Sequence, residues 1–151
     1  MQTINRVSKR LFRSFFITAD KITQIVYRIS NGVIGLHQLG VRILLLHTIG
    51  RKSGLTRSHA LLYVPVDKGW VVVASNGGGD RHPQWYLNLV ANPQVMIQVG
   101  RDKHKVLSEV VNNEIRKDYW QELRNSWPLY RKYQEGTHRK FPIILFRRES
   151  I

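Results

Sequence analysis

Apolar residues recur along the first thirty positions at intervals of three, four or seven: Ile4, Val7, Leu11, Phe15, Ile22, Ile25 and Ile29. At about 100° per residue they fall on one side of a helix. Arg6, Lys9, Arg10, Arg13, Lys21 and Arg28 fall on the other. The pattern predicts a long basic amphipathic helix, with Phe12 and Phe16 widening its apolar side. Gly32, Gly35 and Gly40 then mark a loop. Beyond Gly40 the texture changes to short β-type runs at 41–48, 57–66, 70–76, 94–99, 103–111 and 142–147. Asp67-Lys68-Gly69 and Gly100-Arg101-Asp102 read as hairpin turns. Three helical patterns interrupt the strands. The first, 83–91, opens on Pro83 as its first helical residue and stops at Asn92-Pro93. The second, 113–125, puts Ile115, Tyr119, Trp120 and Leu123 on one face. The third, 127–134, ends near Gly136.

Short strands joined by hairpins, with no repeated βαβ order, point to an α+β domain around a six-stranded antiparallel barrel with helices packed outside. The chain divides into the helix and loop, 1–40, and the barrel domain, 41–151. Its 151 residues are enough for one domain with a real core, and 42% hydrophobic content argues against disorder. No stretch approaches the roughly 18 apolar residues of a spanning helix. The first apolar run is broken by Arg6, Lys9, Arg10 and Arg13, unlike a secretory signal. The expectation is a cytoplasmic protein, with a peripheral position on the inner face of the cell membrane as the variant. The absence of cysteine excludes a disulfide scaffold, a thiolate metal site and a cysteine nucleophile.

Charge narrows the choice of partner. Lys and Arg number 24 against 10 Asp and Glu, a formal net charge of +14. Residues 1–66 hold ten of the basic residues and a single acid, Asp20. The partner should be anionic: nucleic acid, phospholipid or a small polyanion. No RRM, KH or zinc-finger signature accompanies the charge, so no specific nucleic acid is expected. The N-terminal helix has two readings. It covers the domain with its apolar stripe, or residues 1–30 dock on an anionic membrane. Six histidines are scattered without HExxH or paired ligand spacing, so no metal is expected. No GxSxG elbow supports hydrolysis.

Three segments could carry chemistry. Gly50-Arg51-Lys52-Ser53-Gly54-Leu55-Thr56-Arg57 combines three cations, two glycines and two hydroxyls, the makings of an anion cradle or of a solvated turn. It lacks the spacing of a Walker A loop. Ser75-Asn76-Gly77-Gly78-Gly79 runs from a strand toward a helix and would admit a flat ligand against the backbone, with Trp85 placed to stack on a ring. A plain glycine-rich loop is the alternative. Trp127, Tyr130 and Tyr133 share one helical side and form either a core face or an aromatic wall over a pocket.

Taken together, LLLHTIGRKSGLTR (44–57), WVVVASNGGGDRHPQWYLNLVANPQV (70–95) and WPLYRKYQEGTHRKFPIILFRR (127–148) resemble the deazaflavin-dependent nitroreductases and quinone reductases. That family uses the 8-hydroxy-5-deazaflavin coenzyme F420 on a split β-barrel. The resemblance implies hydride transfer from reduced F420 to a quinone, nitroaromatic or similar electron-poor acceptor. It implies that Arg51, Lys52, Ser53, Gly54 and Arg57 hold the phosphate and acidic tail of the coenzyme. Ser75, Asn76, Gly77 and Gly78 would line the deazaflavin edge, and Trp85 would pack near the ring. Tyr130 would donate a proton or orient the acceptor, flanked by Trp127 and Tyr133. The chain departs from the family pattern at His59-Ala60, where an Asn-Pro pair is usual, and at Trp127, where Tyr is common. The competing expectations are an FMN-dependent split-barrel reductase and a non-catalytic binder of lipid or another hydrophobic ligand. Either a monomer or a homodimer fits the sequence.

Overall fold

The computed structural model describes residues 2–30, 32 and 42–149, without the side chains of 2–10, 12, 13 and 15–17. The predicted loop glycines Gly35 and Gly40 lie outside the described residues, as do the side chains of Ile4, Val7, Phe12, Phe15 and Phe16. Among the described residues seven strands form one antiparallel sheet: β1 (Ile43–Ile49), β2 (Thr56–Leu62), β3 (Val64–Val66), β4 (Gly69–Val73), β5 (Gln94–Val99), β6 (Asp102–Val110) and β7 (Ile143–Arg148). Their order is β2-β1-β5-β6-β7-β4-β3. β2 and β3 are one run of chain interrupted at Tyr63, whose amide donates to the Arg42 carbonyl at 3.0 Å in line with the β1–β2 ladder before β3 goes over to pair with β4. The two ends of the order are therefore the same segment, and the sheet curls toward closure. Counted that way, the six predicted strands are all present. Four α-helices among the described residues decorate the sheet: α1 (Gln2–Ile29), α2 (Gln84–Ala91), α3 (Asn113–Ser126) and α4 (Leu129–Glu135).

β1, β4 and β7 read as nearly continuous apolar runs because both of their faces are covered. Side chains alternate across the sheet. Leu44, Leu46, Trp70, Val72, Val95, Ile97, Val106, Ile144 and Phe146 fill the inside of the barrel. The intervening Val71, Val73, Ile143 and Leu145 point outward and pack with Leu123, Tyr130 and Phe141 beneath α3 and α4. On another outer face, Ile43 and Leu45 meet Tyr27 of α1.

Three boundaries differ from the sequence pattern, each for a local reason. The strand expected to run to residue 76 stops at Val73, because the next carbonyls, of Ala74 and Ser75, bond to Arg139. Pro83 is the extended cap of α2 rather than its first helical residue. The segment expected to be helical from Trp127 begins at Leu129, because the residue before a proline is driven out of the helical region; Trp127 has φ −142° and ψ 94°.

The described part of the apolar stripe of α1 does not cover the domain. Leu11, Ile22, Ile25 and Ile29 are exposed, Ile29 by 82%. The anchors come from the opposite side of the helix. The Asp20 carboxylate accepts from the Ala60 amide at 2.8 Å and pairs with His59 Nδ1 at 3.3 Å. Burial works to raise the Asp20 carboxyl, but the bonds from His59, Ala60 and Gln24 outweigh it and hold the group below its usual range. Seven residues on, the Tyr27 hydroxyl accepts from the Gly100 amide at 2.6 Å and donates to the Gln98 carbonyl at 3.3 Å. The Asp20 contact also gives the His59-Ala60 departure a role, since a proline at position 60 would have no N–H to donate. No helix among the described residues is long and apolar enough to cross a membrane.

Candidate coenzyme site

The cationic segment is the tight turn between β1 and β2. The Gly50 amide donates to the Leu55 carbonyl and the Gly54 amide to the Gly50 carbonyl, both at 2.8 Å. Gly54 has φ +68°, with open space where a side chain would begin. Ser53 Oγ accepts from the Leu55 amide at 3.3 Å and so helps to close the turn. The three cations separate into two roles. The Arg51 side chain reaches α2, donating to Asn88 Oδ1 at 3.0 Å and to Gln84 Oε1 at 2.9 Å, while its own amide donates to Asn88 Oδ1 at 3.2 Å. Asn88 is buried and donates in turn to Thr48 Oγ1 at 3.3 Å. Arg51 is thus a brace that seats the turn on the first two turns of α2. Lys52 and Arg57 are exposed and make no side-chain bond among the described residues.

The glycine segment leads into that same end of α2. It forms a single 3-10 turn at Asn76–Gly78. Asn76, Gly77 and Gly78 all have positive φ, at 50°, 61° and 78°. Gly78 is needed for close approach as well, since a Cβ there would lie 3.1 Å from the Tyr133 Cα. The loop is therefore packed directly on α4. Ser75 is buried, and the Asn76 side chain donates to the Arg81 carbonyl at 3.0 Å. Trp85, expected near a ring ligand, is buried within the barrel cluster that includes Leu44 and Ile97.

The aromatic wall is present, with its members at different depths. Tyr130 is buried, with Trp120 and Tyr133 rings each 6.3 Å away. Burial, followed by the neighbouring Tyr133, pushes the Tyr130 phenol far above its ordinary range, so it keeps its proton. Tyr133 is half-buried and is also raised by burial, against which a side-chain hydrogen bond with Trp127 acts. Trp127 precedes α4 and is half-buried against the outer cluster.

Sequence reasoning missed Arg139 and His82. The Arg139 guanidinium binds the carbonyls of Ala74, Ser75 and Gly79, and also His82 Nδ1. Burial, then Arg139, lowers the His82 ring pKa. Nothing in the sequence marked this arginine out, because it is one of many cations in a basic chain and its partners are backbone atoms some sixty positions away.

The cationic turn, the glycine loop and α4 thus converge around the entrance to α2. The family model described as F420H(2)-dependent quinone reductase matches residues 20–147, nearly the whole chain. The chain belongs to that family. An F420H(2)-dependent quinone reductase of Mycobacterium tuberculosis is 35% identical over 147 residues, spanning 94% of this chain and 98% of that one. Among solved structures, an F420-H2 dependent reductase is 34% identical with a TM-score of 0.65, covering 70% of this chain and 94% of its own. A second, described as a domain-swapped dimer, is 31% identical with a TM-score of 0.67, covering 83% and 96%. The protein is an oxidoreductase of the split-barrel class, and coenzyme F420 is its cofactor.

The residues present fit that coenzyme. An unpaired ammonium and guanidinium beside a turn with open space at Gly54 suit phosphate and carboxylate groups. The helix of α2 and the free cations both favour negative charge at this end of the barrel.

Proposed function

We propose that, in this F420H(2)-dependent quinone reductase, Lys52, Arg57 and the Gly54 backbone hold the coenzyme's phosphate and acidic tail. Arg51 and Ser53 shape the turn that presents them. Ser75, Asn76, Gly77 and Gly78 face the deazaflavin, and Trp85 braces α2 from within the barrel. One observation carries this reading. The cationic turn is fastened by the Arg51–Gln84 bond of 2.9 Å to the first residue of the helix that the glycine loop enters. Reduced coenzyme F420 supplies a hydride to an electron-poor acceptor. The chain's residues orient and enclose the partners. Trp127 and Tyr133 flank the acceptor, and the Tyr130 hydroxyl donates a hydrogen bond to the quinone oxygen, orienting it or passing it the proton as charge develops there. Electron-poor nitroaromatics fit the same requirement as a second acceptor class. Oxidised F420 is expected to bind more tightly than FMN in parallel titrations of the purified protein, because two free cations suit the longer polyanion. Equal or tighter binding of FMN would overturn this assignment of the turn.

The outward stripe of α1 favours a membrane role for the same protein. Leu11, Ile22, Ile25 and Ile29 face away from the barrel on a helix whose sequence carries six Lys and Arg, a combination that suits an anionic lipid surface. The variant Ile22→Ser/Ile25→Ser/Ile29→Ser leaves Asp20 and Tyr27 in place and should still fold. Its partition onto phosphatidylglycerol vesicles is expected to fall by at least roughly tenfold relative to the parent, given the apolar area removed. Equal co-sedimentation of both proteins, or none by the parent, would sink the membrane role. A stable dimer that dissociates in the triple variant would assign the stripe to a second copy, the state described for one structural relative.

A further inference from the structure

Arg139 lies in the short connection between α4 and β7. Its guanidinium is the most heavily engaged in the described residues. Nε donates to the Gly79 carbonyl at 3.0 Å, Nη1 to the Ala74 carbonyl at 3.0 Å, and Nη2 to the Ser75 carbonyl at 2.6 Å. Nη1 also donates to His82 Nδ1 at 2.9 Å. The group stacks on Phe141 at 4.7 Å. Its backbone is fixed as well, since its amide donates to Thr137 Oγ1 at 3.2 Å and its carbonyl accepts from Gln134 Nε2 of α4 at 2.8 Å.

The consequence for the loop follows from peptide geometry. No peptide bond among the described residues is cis. In a trans peptide the C=O and the N–H of the same unit point in opposite directions. Carbonyls of Ala74, Ser75 and Gly79 that converge on Arg139 therefore turn the amides of Ser75, Asn76 and Asp80 away from it. Those amides become a set of outward donors on the face of the loop opposite the guanidinium. We propose that Arg139 is the positioning residue of the coenzyme site, drawing three loop carbonyls inward so that the Ser75, Asn76 and Asp80 amides are held ready for the acceptor atoms of a flat heterocycle. This rests on the reading that the glycine loop faces the deazaflavin. Arg139 does not itself touch the ligand. It acts through the backbone that it gathers, and it links that backbone to α4, where the tyrosines stand. His82 serves as a reporter. An arginine has only donors, so His82 Nδ1 must be the acceptor and its proton must sit on Nε2.

The test compares wild type, Arg139→Lys and Arg139→Met. Binding of oxidised coenzyme F420 is titrated by fluorescence. The His82 ring nitrogens are followed by 15N NMR in the coenzyme-free protein, and the KM for a quinone is measured separately. Both variants should melt cooperatively with a shifted His82 signal, and the Kd for the coenzyme should rise by at least about tenfold with the quinone KM little changed. Lysine should not rescue, because one ammonium on a flexible stem cannot bridge three carbonyls. Arg139→Lys keeps charge and stem, so the comparison stands on it if Arg139→Met does not fold. A folded variant with a changed His82 signal and an unchanged Kd overturns the proposal, and so does rescue by lysine. Equal losses in coenzyme affinity and quinone KM also overturn it, since they would mean general loosening. Failure of the wild type to bind F420 would instead sink the coenzyme reading itself.

Discussion

Lys52→Ala and Arg57→Ala combined in one chain should weaken coenzyme F420 binding by about 100-fold at low salt. A charge-assisted hydrogen bond is worth roughly 1.5–3 kcal/mol. Both side chains are exposed, so the lower end applies to each, and about 3 kcal/mol for the pair corresponds to a factor of about 100. Each single substitution should cost about tenfold. Because the contacts are open to solvent, the gap between parent and double variant should narrow as salt is raised through the range where the Debye length falls below about 10 Å. Neither substitution removes an internal bond, so the melting temperature should barely move. Arg51→Ala should behave differently. It strips Gln84 of its partner and leaves the buried Asn88 short of one bond, with only the residue-51 amide still donating to its Oδ1, so stability should fall along with affinity. A titration in which the double variant binds as tightly as the parent would remove both residues from the site.

Tyr130→Phe is expected to lower kcat by at least roughly tenfold for one acceptor class, while the Kd for coenzyme F420 stays unchanged. General-acid help is typically worth about 10²–10⁴-fold, part of which water can replace. The substitution removes only the hydroxyl, and the ring can keep its contacts with Trp120, Tyr133 and Phe141 in the outer cluster. The phenol is buried and keeps its proton at any ordinary pH, so the loss should be the same across the neutral range. A loss that appeared only above neutrality would point to another titrating group. The assay pairs reduced coenzyme with a quinone and with a nitroaromatic, and reports kcat apart from KM. Unaltered kcat for every acceptor the parent reduces would leave Tyr130 as a packing residue.

The separation of Arg51 from Lys52 and Arg57 shows what a motif can and cannot say. The three cations look alike in GRKSGLTR, and the family resemblance assigns all of them to the ligand. Only with α2 in place does Arg51 find two side-chain amides, which leaves the other two cations free. Trp85 repeats the lesson. Its neighbours in the sequence suggest a stacking surface, but its position on the short helix α2 turns it into the barrel. The glycine triplet was legible as a place of close approach. The sequence could not say what approaches, and at Gly78 it is the backbone of Tyr133.

Local chemistry written into neighbouring residues was readable directly. Short β-type runs set the strands, the turns at Asp67-Lys68 and Gly100-Arg101 set their hairpins, and the joint pattern of three motifs set the family. These depend on period, turn residues and composition, which are properties of short stretches of chain. Long-range choices were not readable. The periodicity of α1 correctly gave a helix with an apolar stripe, but a stripe does not say which side will meet the barrel. That was decided by one carboxylate and one phenol, Asp20 and Tyr27, reaching amides at 60 and 100. Arg139 is the extreme case. Its partners are backbone carbonyls, which every residue possesses, so no side-chain pattern could advertise them, and only the folded chain brings them to a single guanidinium.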